Sequence, residues 1–310
     1  MGCGSWLLAS SADGKKAQGI QGMKMTHTPA KKILAIHDLS SFGHTSLMVF
    51  IAILYRMGLR VCALPTAVLS ANTDFPDSIW VDLGEHLENF AQHWQELGLE
   101  FSAICSGFLA SEKQAELVSN LTQKLRGPQT IVLTDPVMGD NGRLYDCFGP
   151  EMVEAMRGLI RHAQIVTPNH TEAALLTGED PNLELGREGI LERCRKIAGM
   201  GPEHVVITSV PTQVPNRLVT MYYHAGEDSM QSHFFTARPG HHPGAGDCFS
   251  ALLLGGLMKG YGVENSVGAG VEILSGLISR DPLPGADWRE GIALEELMQM
   301  DLEAFYRKSR

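Results

Sequence analysis

No stretch of this chain reaches the roughly 18 uninterrupted apolar residues that a membrane-crossing helix needs, so no such segment is expected. Blocks of basic residues are lacking too. With a net charge of -10, neither a nucleic-acid surface nor attraction to an anionic membrane is expected. The six cysteines, Cys3, Cys62, Cys105, Cys147, Cys194 and Cys248, never fall in C-x-x-C spacing. That removes the common zinc and disulfide frameworks and points to a reducing compartment, the cytoplasm. Internal repeats and low-complexity linkers are also missing, so residues 31–310 read as one domain. What is present is 310 residues, 44% of them hydrophobic, enough for a sizeable core. Work on small molecules is the class left standing.

Residues 1–30 are small, polar and glycine-containing, and a disordered extension is expected there. Trp6-Leu7-Leu8-Ala9 is too short for a signal-peptide core, and Trp6 stands where a myristoylation signal needs Ser or Thr. Met23 or Met25 suits the natural start. From Lys32 the pattern changes: short apolar runs at 32–36, 59–67, 101–106, 130–134, 164–167 and 205–208 read as strands. Between them, 45–57, 79–97, 112–125, 152–161 and the segment opening at 171 carry helical patterns. Such alternation predicts β-α-β units, hence a three-layer α/β/α sandwich around a mostly parallel sheet. The runs 218–223 and 231–236 read as adjacent strands, and 263–279 and 294–306 as covering helices.

Ligands of open parallel sheets bind beyond the carboxyl ends of the strands. The polar residues expected along that rim include His37-Asp38, Asp135-Pro136, Thr167-Pro168-Asn169 and Thr208-Ser209, with Glu172 one turn into a helix. A nucleotide at so acidic a rim needs a bridging cation, and magnesium suits carboxylates and phosphate oxygens. Gly244-Ala245-Gly246-Asp247 runs from a loop into the apolar helix that follows. The glycines can present free amides to a phosphoryl group, with Asp247 taking a proton from a hydroxyl; equally, they can form a tight turn that Asp247 caps. Asn169 and Glu172 carry the same double meaning, since Asn-x-x-Glu is also a capping box. His241-His242 lacks a third ligand at useful spacing, and Cys248 suits packing better than nucleophilic work.

Asn169-x-x-Glu172 with Gly244-Ala245-Gly246-Asp247 resembles the paired signature of the ribokinase-like kinases. Asp135-Pro136-Val137-Met138-Gly139-Asp140 resembles the vitamin-kinase branch, while residues 64–73 and 106–111 look most like pyridoxal kinases. The resemblance implies ATP-dependent, Mg2+-assisted phosphorylation of the 5′-hydroxymethyl group of a vitamin B6 vitamer, with Asp247 as base and the amides of Gly244, Ala245 and Gly246 as anion hole. Asp135 and Glu172 would hold the metal, and Asp135, Thr167, Asn169, Glu172, Thr208 and Tyr145 would line the ATP site. Ser70, Thr73 and Asp74, with Asp38, would face the substrate. Asp38 departs from the serine of many pyridoxal kinases, and an acid there favours a protonated ring nitrogen or an amine, as in pyridoxamine. Two alternatives stay open: a hydroxymethylpyrimidine kinase of thiamine synthesis, and a non-catalytic vitamer- or nucleotide-binding module. Resembling kinases are often homodimers, and the same is expected here.

Overall fold

Successive side chains of the first strand, β1 (Lys32–Ser40), enter two different cores. Ile33 and Ala35 join one and Leu34 and Ile36 the other, which is why the run is apolar at every position rather than at alternate ones. The computed structural model describes residues 30–280 and 285–308. Apart from Ala30, the extension expected over 1–30 lies outside the described residues.

After β1 come α1 (Ser46–Arg56), β2 (Arg60–Leu69), β3 (Trp80–Asp82), α2 (Leu87–Glu96), β4 (Ala103–Ser106), α3 (Glu112–Leu125) and β5 (Ile131–Thr134). A small hairpin, β6 (Gly139–Asp140) and β7 (Arg143–Leu144), precedes α4 (Glu151–Ile160), β8 (Ile165–Val166), α5 (His170–Thr177) and α6 (Arg187–Ala198). The remainder is β9 (His204–Pro211), β10 (Arg217–His224), β11 (Ser229–Thr236), α7 (Ala245–Met258), α8 (Val263–Ile278), α9 (Leu294–Gln299) and α10 (Leu302–Lys308). The nine-stranded sheet runs β11-β10-β9-β8-β5-β4-β1-β2-β3. It is parallel from β9 to β2, and antiparallel where β10 and β11 join one edge and β3 the other. Helices α1, α7, α8, α9 and α10 cover one face, and α2 to α6 the other. The expected three-layer sandwich is present. Strand order reverses direction between β4 and β1, and a crevice opens beyond their carboxyl ends.

Three local expectations differ from the structure. Residues 79–97 carry a helical period, yet Trp80–Asp82 pairs antiparallel with Ala67–Leu69 and the helix begins only at Leu87. Ile79, Val81 and Leu97 remain exposed, and the period marks a buried face only within the helix, at Leu87 and Ala91. Second, α6 forms where no element was assigned: its buried Ile190, Cys194 and Ile197 keep helical spacing amid charged neighbours. Third, the covering helix expected over 294–306 is broken at Met300-Asp301 into α9 and α10.

Candidate active site

Two helix N-termini meet beneath the crevice. Gly244 caps α7 with a left-handed backbone, φ +77°, and a Cβ there would stand 2.2 Å from the His44 carbonyl oxygen, so only glycine fits. That close approach brings the loop before α1 against the start of α7. Asp247, in the first turn of α7, accepts a 2.7 Å hydrogen bond on Oδ2 from the Ser46 N–H that opens α1. Thr45, at the N-cap of α1, makes no side-chain cap, so Asp247 does cap a helix, though not its own. Ser46 itself is held at φ +51°, a strained conformation for a non-glycine residue at this junction.

Burial pushes the Asp247 carboxyl up to about 7, the Ser46 N–H opposes that, and the charge of Asp38 adds to it. His37 Nδ1 lies 3.7 Å from Asp247 Oδ1, which on distance alone suggests an ion pair. Burial holds the imidazole down at about 3, however, and His37 is therefore neutral at physiological pH. Its ring packs on Phe50 at 4.4 Å, and a Cβ on Gly107 would stand 2.1 Å from it. Asp38 sits at the end of β1, 4% exposed, accepting a 3.2 Å hydrogen bond from Ser40 Oγ; burial raises its pKa.

At the next strand ends, Asp135 Oδ2 accepts from Ser250 Oγ at 3.1 Å, and Ser250 Oγ lies 2.9 Å from Thr167 Oγ1. A Cβ on Gly246 would be 3.7 Å from the same Asp135 oxygen, so the glycine turn and Asp135 are neighbours. Asn169 and Glu172 form the full capping box of α5. Glu172 Oε2 accepts from Asn169 N–H at 2.8 Å, Oε1 accepts from Met138 N–H at 3.1 Å, and Asn169 Nδ2 donates to Gly139 O at 2.8 Å. The box thus also ties down the loop that follows Asp135. Both Asp135 and Glu172 are buried, and each has its pKa raised first by burial and then by a neighbouring acid. Tyr145 lies beside them, its hydroxyl pushed up by burial and then by Glu172 and the other acids.

One cleft of about 1850 Å³ joins these groups. It exceeds the roughly 300–1,000 Å³ of a single small-molecule site, leaving room for two reactants at once. Asp38, Thr73, Asp74, Asp135, Tyr145, Thr167, Asn169, Glu172, Thr208, Gly244, Ala245, Gly246 and Asp247 all line it. Ser70 does not: it is exposed at the sheet edge, where its Oγ accepts the Ile79 N–H at 2.9 Å. Asp74 faces across the cleft to His241, Oδ1 to Nε2 3.3 Å, and this contact raises the His241 pKa. His242 Nε2 lies 3.0 Å from Arg238 O, so the two histidines turn to different partners. Ser46 and Ser250 were missed from sequence. Ser250 had a signal, standing three residues after Asp247 and hence on the same helix face.

The family model described as phosphomethylpyrimidine kinase matches residues 55–289. The chain belongs to that family. Among relatives of this phosphomethylpyrimidine kinase family member, the pyridoxine/pyridoxal/pyridoxamine kinase of Bordetella avium is 30% identical over 76% of this chain and 81% of its own. A Bacteroides thetaiotaomicron protein, provisionally named a phosphomethylpyrimidine kinase and crystallised with pyridoxal, is 37% identical with a TM-score of 0.84. The match covers 89% of this chain and 96% of that one. The pyridoxal kinase of Lactobacillus plantarum is 29% identical with a TM-score of 0.77, covering 90% and 97% of the two chains.

Proposed function

We propose that this family member transfers the γ-phosphoryl group of ATP to the 5′-hydroxymethyl group of a vitamin B6 vitamer. The observation that carries this reading is the placement of Asp247: a largely buried carboxyl, lifted to about 7, at the head of a helix and beside the Gly244-Ala245-Gly246 amides. Asp247 takes the hydroxyl proton as the oxygen attacks the γ-phosphorus, the bond to the β-phosphate oxygen breaks, and ADP leaves. The glycine-turn amides hold the charge that develops on the transferring group. Asp38, Thr73 and Asp74 face the vitamer ring, and one proton shared between Asp38 and the ring nitrogen satisfies both. Thr167, Asn169, Thr208 and Tyr145 line the ATP half of the cleft.

Asp135 and Glu172 fit a magnesium ion, because they are buried acids whose hydrogen-bond donors, Ser250 Oγ and the Asn169 and Met138 amides, are all neutral. Magnesium bound there supplies charge neutralisation for the phosphates. The kinase domain spans 31–310 and acts in the cytoplasm. It works as a homodimer, a reading supported by the exposed Ile79, Trp80 and Val81 along the β3 edge.

Initial rates of ADP release with pyridoxal, pyridoxamine, pyridoxine and hydroxymethylpyrimidine test the acceptor. Turnover of a vitamer is expected. Turnover of the pyrimidine alone overturns the B6 reading, and vitamer binding without ATP consumption makes the protein a binding module.

A further inference from the structure

The far end of β9 holds a second constellation. Glu203 and His204 stand at its amino end, while Thr208, lining the cleft, is four residues on, about 13 Å along the strand. His204 pairs in register with His224, the last residue of β10. Their rings stack with centroids 4.7 Å apart and planes 26° apart. One ligand atom from each of Glu203, His204 and His224 lies within 4.8 Å of the others. The Glu203 carbonyl also accepts the Ala225 N–H at 2.9 Å, fixing the backbone between the two strands.

We propose that Glu203, His204 and His224 form a metal site, separate from the cleft, that takes a borderline transition metal of the zinc class. Two imidazoles and one carboxylate are the donors such ions prefer and magnesium does not. The spacing agrees. His224 Nε2 lies 3.3 Å from Glu203 Oε1. Two bonds of about 2.0–2.1 Å at a tetrahedral angle put their donor atoms about 3.4 Å apart. Each imidazole also has a partner on the nitrogen that would face away from the ion. His224 Nδ1 is 3.5 Å from Glu227 Oε1, and His204 Nδ1 is 3.1 Å from the Tyr222 hydroxyl. An Nδ1–H donated to each partner leaves Nε2 with its lone pair, the way metal-bound histidines are oriented. Gly226 keeps the approach open: a Cβ there would come within 3.3 Å of His224 Nε2 and 3.8 Å of Glu203 Oε1. Water completes the coordination. The ion staples the start of β9 to the end of β10 and the turn beyond it, so its effect is on stability, not on phosphoryl transfer.

The test uses the full chain, stripped with EDTA and titrated calorimetrically with zinc chloride, with thermal unfolding followed in parallel. Expected are one zinc bound per chain at this site and a rise in Tm that magnesium does not reproduce. His224→Gln and His204→Gln should each weaken zinc binding at least tenfold, and Tyr222→Phe about tenfold. Glu203→Gln alters an exposed side chain and guards against a folding defect in the histidine variants. His241→Gln should bind zinc as the wild type does. Equal zinc affinity in the wild type and the His204→Gln/His224→Gln double variant overturns the proposal, as does the absence of binding at millimolar zinc.

Discussion

Acids held away from full solvent occur in two settings in this molecule, half-buried between α5 and α6 and more deeply in the cleft, and their pKa values move in opposite directions. Burial acts to raise Glu179, but hydrogen bonds from Lys196 at 2.8 Å and Arg193 at 2.8 Å overcome it, and its pKa is lowered. Arg193, 0% exposed, depends on that partner. In the cleft, burial raises the pKa values of Asp135, Glu172 and Asp247, and their neutral donors, a serine hydroxyl and backbone amides, only partly offset it. In the first setting the acid has its counter-charges, two of them, within the chain. The second keeps its acids close together without one, an arrangement that a reacting proton, a cation and a phosphoryl group would complete. A structural ion pair and a reaction site are thus told apart by what the acid lacks.

The comparison predicts that cleft substitutions act on rate and Glu179 substitutions on stability. Asp247→Asn keeps the shape and the Ser46 contact but cannot take a proton, so kcat should fall about 10²–10⁴-fold. ATP affinity by calorimetry should change by no more than a factor of a few. Activity within tenfold of wild type would remove Asp247 from the role of base. Glu179→Ala should do the reverse, leaving Arg193 buried without its carboxylate and costing about 3 kcal/mol in urea unfolding. Its kcat should be unchanged, and a rate loss without a stability loss would show that the two settings are not separate.

Most of this contrast was legible in the sequence on one side only. The rim could be read because strand ends are marked by a change from apolar to polar residues, as at Thr134-Asp135 and Thr167-Pro168. Asn169-x-x-Glu172 is a capping box in the structure, and the same box holds the loop after Asp135, so capping and the proposed site role do not compete. Ser46 was invisible because its role is that of a backbone N–H, which no side-chain pattern announces. Ser70 was misplaced relative to the cleft because the Ile79 edge takes its hydroxyl, a contact created only when β3 pairs with β2. The Glu179–Arg193 pair belongs to α5 and α6, and without an apolar run long enough to declare α6 its partner could not be located.

Ser250→Ala probes the neutral donors of the cleft. It removes the hydroxyl that reaches Asp135 Oδ2 and Thr167 Oγ1, leaving a buried carboxylate oxygen one donor short. A hydrogen bond to a charged group contributes about 1.5–3 kcal/mol, so kcat/KM should fall at least about tenfold, with a higher magnesium requirement. Unaltered kcat/KM and magnesium dependence would make Ser250 a packing residue only.

The smallest effect is a shift along the pH axis. As the proposed base, Asp247 would have to be ionised to act, and its carboxyl in the free protein is lifted to about 7, so kcat/KM should rise with pH up to about 7 and level off above it. The same shift has the opposite sign for stability. Because the folded state holds this proton more tightly than the unfolded one, its contribution is complete below about pH 4 and is lost as pH rises through about 7. Wild-type unfolding free energy should therefore fall between pH 5 and 8 relative to Asp247→Asn, while wild-type activity climbs. Magnesium favours the charged forms of the acids around it, so adding it should move the activity inflection to lower pH. Rate profiles with and without the ion, set beside urea unfolding of both proteins, separate these outcomes. A rate flat from pH 5 to 8, or stability rising against the variant over that range, would mean that Asp247 is already ionised and that its burial is compensated as fully as that of Glu179.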